Sequence, residues 1–379
     1  MAILSFFIWN GSPEIFSIGT FSLRWYGLFF ALGFLISQQI LYYIYKQEGK
    51  PERDIDTLTI YMVVATILGA RLGHVIFYQT ELIWQDPLAI FIPFEFSPFR
   101  FTGLQGLASH GAAIGILFAL WLYSRKKKPG QSYLQVVDRI VILVALTGAL
   151  IRLGNYFNSE IIGKPTDKPW GVVFVNRFSE AITSTRFDYN QSIDVIGYKK
   201  IETTTPALNK GDVPIYIYIF FKKGVKQIEV TNLVESGANN LLSNQLNEYF
   251  NEDGTQPLKY QLLSQPDGAL VARISTLGIS RHPAQLYESI SCVLLFILLF
   301  LIWRSYKENL PPGRLLGIFL IVCFGLRFLF EYLKENQEAF ENNLPLNMGQ
   351  ILSIPLVLLG ILVLYFSYTK NNKEIPGKK

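Results

Sequence analysis

The 379 residues include only two cysteines and three histidines, too few for a disulfide framework or a cluster of soft metal ligands. Cys292 and Cys323 both stand inside apolar runs, which suits neither role. Lys and Arg are absent from the first 20 residues. A cleavable secretory signal needs a positive n-region, so the first apolar run is expected to stay in the protein. No internal repeat, low-complexity tract or phosphate-cradling Gly-rich loop is visible. Neither a metal, a cofactor nor a nucleic-acid partner is expected.

Long apolar blocks are abundant. The chain is 50% hydrophobic, and windows of about 20 apolar residues can span a hydrocarbon core roughly 30 Å thick. Seven such runs fall at 20–44, 57–79, 104–123, 135–156, 283–303, 314–333 and 348–369. A soluble core helix is shorter and keeps a polar face. The expected fold is therefore an all-α polytopic membrane protein with seven transmembrane helices.

Cytoplasmic loops are enriched in Lys and Arg, and alternate loops here differ sharply. One set carries Lys46, Lys50 and Arg53, then Arg125 with Lys126, Lys127 and Lys128, then Arg304, Lys307 and Arg314, and the tail adds Lys370, Lys373, Lys378 and Lys379. The other set has Arg100 in one loop and Lys334 in another. This places the N-terminus outside and the C-terminus in the cytoplasm. The polar segment 164–280 then falls outside. Its strand-like runs Ile215–Phe221 and Gln227–Val230, and the turn signal at Asn251–Gly254, predict a small β-rich extracytoplasmic domain. It is inserted between helices 1–4 (1–163) and helices 5–7 with the basic tail (281–379).

Charges within apolar spans are costly, about +2.5 to +3.5 kcal/mol for Arg at a helix centre, and mark function by default. Arg71, His74, His110, Arg152, Arg327 and Glu331 are placed this way. With the orientation above, they fall in the outer part of their spans, as do Asn155, Arg281, His282, Gln285, Tyr287, Glu288, Gln350, Arg24 and Tyr26. At 1.5 Å per helical residue, all lie within roughly 15 Å of the outer surface. Structural readings stand beside the functional one. Arg24, Arg281 and His282 could be interfacial snorkellers. Arg71 could pair with a carboxylate such as Glu81, His74 could be a packing residue, and Glu331 could neutralise Arg327 one turn away. Arg152 and Arg327, at one depth, require an anion, and guanidinium binds a lipid phosphate bidentately. The glycines 69, 73, 103, 106, 111, 115, 148 and 154 suit close helix packing.

The run Arg152-Leu-Gly-Asn-Tyr-Phe-Asn-Ser-Glu-Ile-Ile-Gly163 resembles the signature of prolipoprotein diacylglyceryl transferases, roughly G-R-x-G-N-F-x-N-x-E-x-x-G. Further matches are collinear: Trp25-Tyr-Gly27, Gly69-Ala-Arg-Leu-Gly73, Ser109-His-Gly111, Arg281-His-Pro-Ala-Gln-Leu-Tyr-Glu288, Arg327 with Glu331, and Met348-Gly-Gln-Ile-Leu-Ser353. The resemblance covers about 1–163 and 281–369, not the insert, which is longer than the family's usual segment. Departures are Ile151, Tyr156, Ala112 and Cys323, and none removes an arginine, the histidine or the asparagines.

The resemblance implies transfer of a diacylglyceryl group from phosphatidylglycerol to the lipobox cysteine of prolipoprotein signal peptides. It also implies a bacterial cytoplasmic (inner) membrane location with the active site facing the outer leaflet. Arg152 and Arg327 would clamp the phosphate and stabilise the leaving group. His110 would be the base, or alternatively a head-group ligand. Asn155, Asn158, Glu160 and Gly163 would shape the head-group pocket. Tyr26, Arg71, Arg281, Gln285, Tyr287, Glu288, Glu331 and Gln350 are further substrate-binding candidates. The rival classes are a membrane transporter for an anionic or lipid substrate and a scaffold. The polar groups gather at one depth, not along a path through the bilayer, and a scaffold leaves the arginines unexplained.

Overall fold

A computed structural model describes residues 6–18, 21–87, 90, 94–96, 99–101, 108–184, 190–202, 209–335, 341 and 344–373. Gly103, Gly106, the start of the third apolar run (104–107), Lys378 and Lys379 lie outside the described residues. In chain order the elements are β1 (Phe7–Trp9), β2 (Glu14–Ile18), β3 (Phe21–Arg24), α1 (Trp25–Gln47), α2 (Arg53–Tyr78), α3 (Leu82–Gln85), β4 (Phe94–Phe96), β5 (Phe99–Phe101), α4 (Ser109–Ser124) and α5 (Tyr133–Phe157). There follow β6 (Val172–Phe174), α6 (Asn176–Ile182), β7 (Ile193–Lys200), β8 (Asp212–Phe221), α7 (Gln227–Asn232), β9 (Lys259–Ser264), β10 (Leu270–Ile279), α8 (Ala284–Tyr306), α9 (Arg314–Glu331) and α10 (Met348–Lys373).

Helices stand at each of the seven expected positions. Five of them, α1, α2, α5, α8 and α10, are long and apolar enough to cross a membrane. α4 has only 16 residues, and the 18 residues of α9 include Arg314, Arg327 and Glu331. The apolar side chains confirm the medium. Ile60, Ile76 and Phe77 on α2, Ile114 and Phe118 on α4, Leu294 and Leu301 on α8, and Leu358, Leu362 and Phe366 on α10 are all exposed. Contiguous faces of this kind are stable against lipid and not against water.

Two local expectations are corrected. Residues 21–24 do not open the first helix, whose expected start at 20 lies outside the described residues, because Phe21–Arg24 pairs with Glu14–Ile18 in antiparallel fashion. Gln227–Val230 is not a strand. Val230, Leu233, Val234, Gly237, Ala238, Leu241 and Leu242 are buried, and that spacing is helical; four residues were too short a window to reveal it.

The chain forms two compact units: Met1–Ala31, Ala149–Ser291 and Leu326–Ile351, and Leu32–Gly148, Cys292–Gly325 and Leu352–Lys379. In the first, a four-stranded sheet runs in the order β7-β8-β10-β9 with antiparallel neighbours. Ile215, Ile217 and Ile219 alternate into a core completed by Val230, Leu233, Val234 and Ile274, as one buried face requires. β1 pairs in parallel with β6.

In the second unit, α2 and α4 touch through glycine. A Cβ on Gly69 would lie 2.5 Å from the Gly111 carbonyl, and one on Gly115 would lie 2.7 Å from the Ala65 carbonyl. The helices therefore pack backbone to backbone, a small-residue contact suited to lipid. Two buried charges here escaped the sequence reading, although both interrupt the fourth apolar run. Asp138 accepts from the Gly313 and Leu316 amides at the start of α9, satisfying donors that a helix N-terminus leaves open. Arg139 binds Glu48, which also accepts from the Trp303 indole at 2.6 Å.

Candidate active site

α5 ends at Phe157, and the chain turns sharply through the rest of the signature. Ser159 and Ile161 adopt φ of 53° and 55°, a left-handed conformation costing roughly 1–2 kcal/mol per residue. For a β-branched residue such as Ile161 it is an outlier. Neighbouring bonds over-determine it. The Ser159 hydroxyl donates to Asn176 at 2.6 Å and its carbonyl accepts from the Tyr249 hydroxyl at 2.9 Å. The Glu160 amide donates to the Asn155 carbonyl at 3.0 Å.

This turn presents Glu160 between three amide side chains. The Asn155 and Asn158 amides face its carboxylate at 3.5 and 3.3 Å, and Gln285 of α8 donates to its carbonyl at 2.5 Å. Tyr26 packs on Gly154, where a Cβ would come within 3.0 Å of the tyrosine. Gly163 is a crossing point. Its amide donates to the His282 carbonyl, the Lys164 amide donates to the Leu333 carbonyl, and a Cβ at 163 would sit 2.5 Å from the His282 oxygen and 2.9 Å from that of Leu333. Backbone cannot yield as a flexible side chain can, so the position requires glycine.

Beside the turn runs a chain of buried charges. Arg152 Nε lies 2.8 Å from Glu288 Oε2, though without the alignment of a hydrogen bond. The other Glu288 oxygen is 2.5 Å from the Lys334 ammonium, which is also 3.0 Å from Glu331. Glu331 in turn faces Arg327 Nε at 3.7 Å. Lys334, Glu288 and Glu331 are buried, whereas the Arg152 and Arg327 side chains keep 24% and 36% exposure. Among the described residues, no group accepts a hydrogen bond from the η nitrogens of either arginine. Three cations and two carboxylates leave the network one positive charge in excess.

The sequence profile described as prolipoprotein diacylglyceryl transferase matches residues 13–366. Similar proteins named phosphatidylglycerol–prolipoprotein diacylglyceryl transferase occur in several bacteria. The Bacteroides fragilis protein is 31% identical, covering 94% of each chain. That of Tolumonas auensis is 32% identical over 95% of this chain and 96% of its own. That of Chloroherpeton thalassium is 32% identical over 98% and 97%. The chain belongs to the prolipoprotein diacylglyceryl transferase family. These alignments run longer than everything outside 164–280, so the insert is shared with such relatives, contrary to the expectation that the resemblance stops at its edges.

The family's motifs differ in what they do here. Arg281 is buried, donating to the Glu248 and Gly163 carbonyls and pairing with Glu335 at 2.8 Å; it is a strut between segments, not an interfacial snorkeller. Arg24 bridges Glu14 and Glu180. Gln350 caps α10. Its amide donates to the Asn347 side chain at 2.9 Å while its own oxygen accepts the Asn347 amide at 3.2 Å, a reciprocal capping box. Tyr287 faces away from the network. Its hydroxyl accepts from Trp170 at 2.8 Å, meets His282 Nδ1 at 3.1 Å, and its ring lines an apolar cleft of about 760 Å³ with Trp9, Tyr156 and Leu286. Burial, then the charges of Lys210 and Lys168, hold His282 below the usual imidazole range.

Arg71 and His110 belong to the second unit. Arg71 is buried and donates to the Ile90 carbonyl at 3.0 Å and to Gln79 at 3.5 Å. His110 is the exposed second residue of α4, next to the Gly111 contact. His74 stacks on Tyr78. The one member of the charge network that sequence reasoning missed is Lys334, taken for a loop cation. Its signal was the spacing of Arg327, Glu331 and Lys334, which would share one face of a continuing helix; α9 in fact ends at Glu331, and a turn brings Lys334 back to it.

Proposed function

We infer that the chain transfers the diacylglyceryl group of phosphatidylglycerol to the thiol of a lipobox cysteine. A C–S bond forms at the glyceryl carbon, the bond from that carbon to the phosphate oxygen breaks, and glycerol phosphate departs with the electron pair. The thiol proton goes to a base, for which we assign His110 of the Ser109-His-Gly111 motif, since imidazole titrates near neutrality. The observation that carries this reading is the pair of arginines, each touched by a single carboxylate on its Nε side with its η edge open. An open guanidinium edge is a bidentate phosphate site, and it gains strength as charge builds on the leaving oxygen. Asn155, Asn158, Glu160 and Tyr26 would shape the head-group pocket.

In our reading seven helices cross the inner membrane, with the N-terminus outside, residues 164–280 outside and the C-terminus in the cytoplasm. The Lys and Arg bias of alternate loops supports this orientation. The test uses purified chain in phosphatidylglycerol vesicles with a lipobox peptide. The peptide should gain the mass of one diacylglyceryl group as glycerol phosphate is released. An unmodified peptide in the presence of folded protein would refute the assignment. An extracytoplasmic reporter fused after residue 230 should be active and one after 127 silent; the reverse pattern inverts the orientation.

A further inference from the structure

Resting on that transfer reaction, we propose that Lys334 is a positioning residue that keeps the two arginine forks open for the lipid phosphate. Free arginine and carboxylate side chains close on each other bidentately, two N–H groups to two oxygens. Here neither pair does. Lys334 occupies one oxygen of Glu288 at 2.5 Å, so Arg152 meets only the other, through Nε. Glu331 is filled on both sides. Lys334 lies 3.0 Å from Oε1, and the Asn347 side-chain amide donates to Oε2 at 3.2 Å, leaving Arg327 no closer than 3.7 Å. The ammonium is 2% exposed, so what it does to these carboxylates is little screened by solvent.

The position of Lys334 is itself enforced from the signature. Its residue forms an isolated bridge with Gly163, and the preceding carbonyl accepts the Lys164 amide at 2.7 Å. The requirement for glycine at 163 and the placement of the ammonium are therefore one constraint. Charge gives the same result as geometry. With Lys334 the network carries one surplus positive charge for an anionic ligand; without it, two arginines and two carboxylates cancel.

The test compares Lys334→Met, Lys334→Arg and the double variant Lys334→Met with Glu288→Gln, in the full-length chain in phosphatidylglycerol vesicles. Lys334→Met should raise KM for phosphatidylglycerol about tenfold or more and lower kcat, because freed carboxylate oxygens capture the forks. Lys334→Arg keeps the surplus charge and should raise KM less than Lys334→Met does, though its fork is a poorer fit than a compact ammonium. The double variant restores the surplus charge and should recover at least about half of the lost affinity on a logarithmic scale. Unchanged KM in Lys334→Met overturns the proposal, as does a double variant no better than the single. If Lys334→Met does not accumulate, the double variant decides alone: a KM within about threefold supports the proposal and one about tenfold higher overturns it. Absence of transfer by the unaltered chain would instead refute the reaction.

Discussion

Each unit carries arginine within an apolar helix, and the two treat it differently. Arg139 of the second unit is 1% exposed and saturated: its Nε and Nη2 donate to Glu48, its Nη1 to the Gln135 carbonyl and Nη2 again to the Lys307 carbonyl. Around it Lys50 pairs with Glu48 at 2.5 Å and Asp138 caps α9, so cations and carboxylates balance. Arg152 and Arg327 of the first unit have one carboxylate contact each and open η edges. A charge in a membrane helix is thus not a functional mark by itself. What separates the two is whether the donors are used up within the fold.

The sharpest way to break this contrast is to remove each arginine. Arg152→Ala or Arg327→Ala should lower turnover by ~10²-fold or more, as for loss of a preorganised anion donor, while protein still accumulates in the membrane. Lys should rescue either poorly. Arg139→Ala should do the opposite. It leaves Glu48 buried without its arginine, a cost of ~3–5 kcal/mol, and should be seen as lost protein or a lowered thermal midpoint with normal turnover per folded molecule. Equal turnover in all three alanine variants would erase the distinction.

His110→Gln comes next. If His110 is the base, neutral-pH activity should fall by ~10²-fold, the lower range for general-base loss. Phosphatidylglycerol binding should persist and higher pH should restore part of the rate. Loss of lipid binding would assign His110 to the head group instead.

The smallest effect concerns the insert. Replacing about 180–270 with a Gly/Ser linker able to join its ends should weaken use of full prolipoprotein several-fold more than use of a short lipobox peptide, over and above any loss common to both substrates from removing Glu248 and Tyr249, which brace Arg281 and Ser159. Equal loss on both substrates would leave the insert no part in recognition.

Most of the helical framework was legible because apolar runs of membrane length admit one reading, and β8 because its isoleucines alternate strictly. The strand assigned to Gln227–Val230 failed since its helical period shows only over the 13 residues to Leu242. Arg152 and Glu288 were named from motifs, but their pairing was not. Lys334 and Glu288 are 46 residues apart, and no local pattern encodes that pairing. Asp138 and Arg139 were passed over as neighbours of opposite sign within an apolar run, where each finds its partner on another helix.

The insert's two roots are stitched together by main chain: the Thr166 amide donates to the Ser280 carbonyl at 2.8 Å and the His282 amide to the Lys164 carbonyl at 3.1 Å. Everything between them is consequently a loop already closed at its base. The cost of closing a longer or shorter loop there changes only as about (3/2)RT ln n, ~0.6 kcal/mol per doubling. The candidate site is thereby little affected by how much chain lies in between, but it still depends on three posts within that chain, since Asn176 and Tyr249 brace Ser159 and Glu248 anchors Arg281; an exchanged domain fits this seam only if it keeps them.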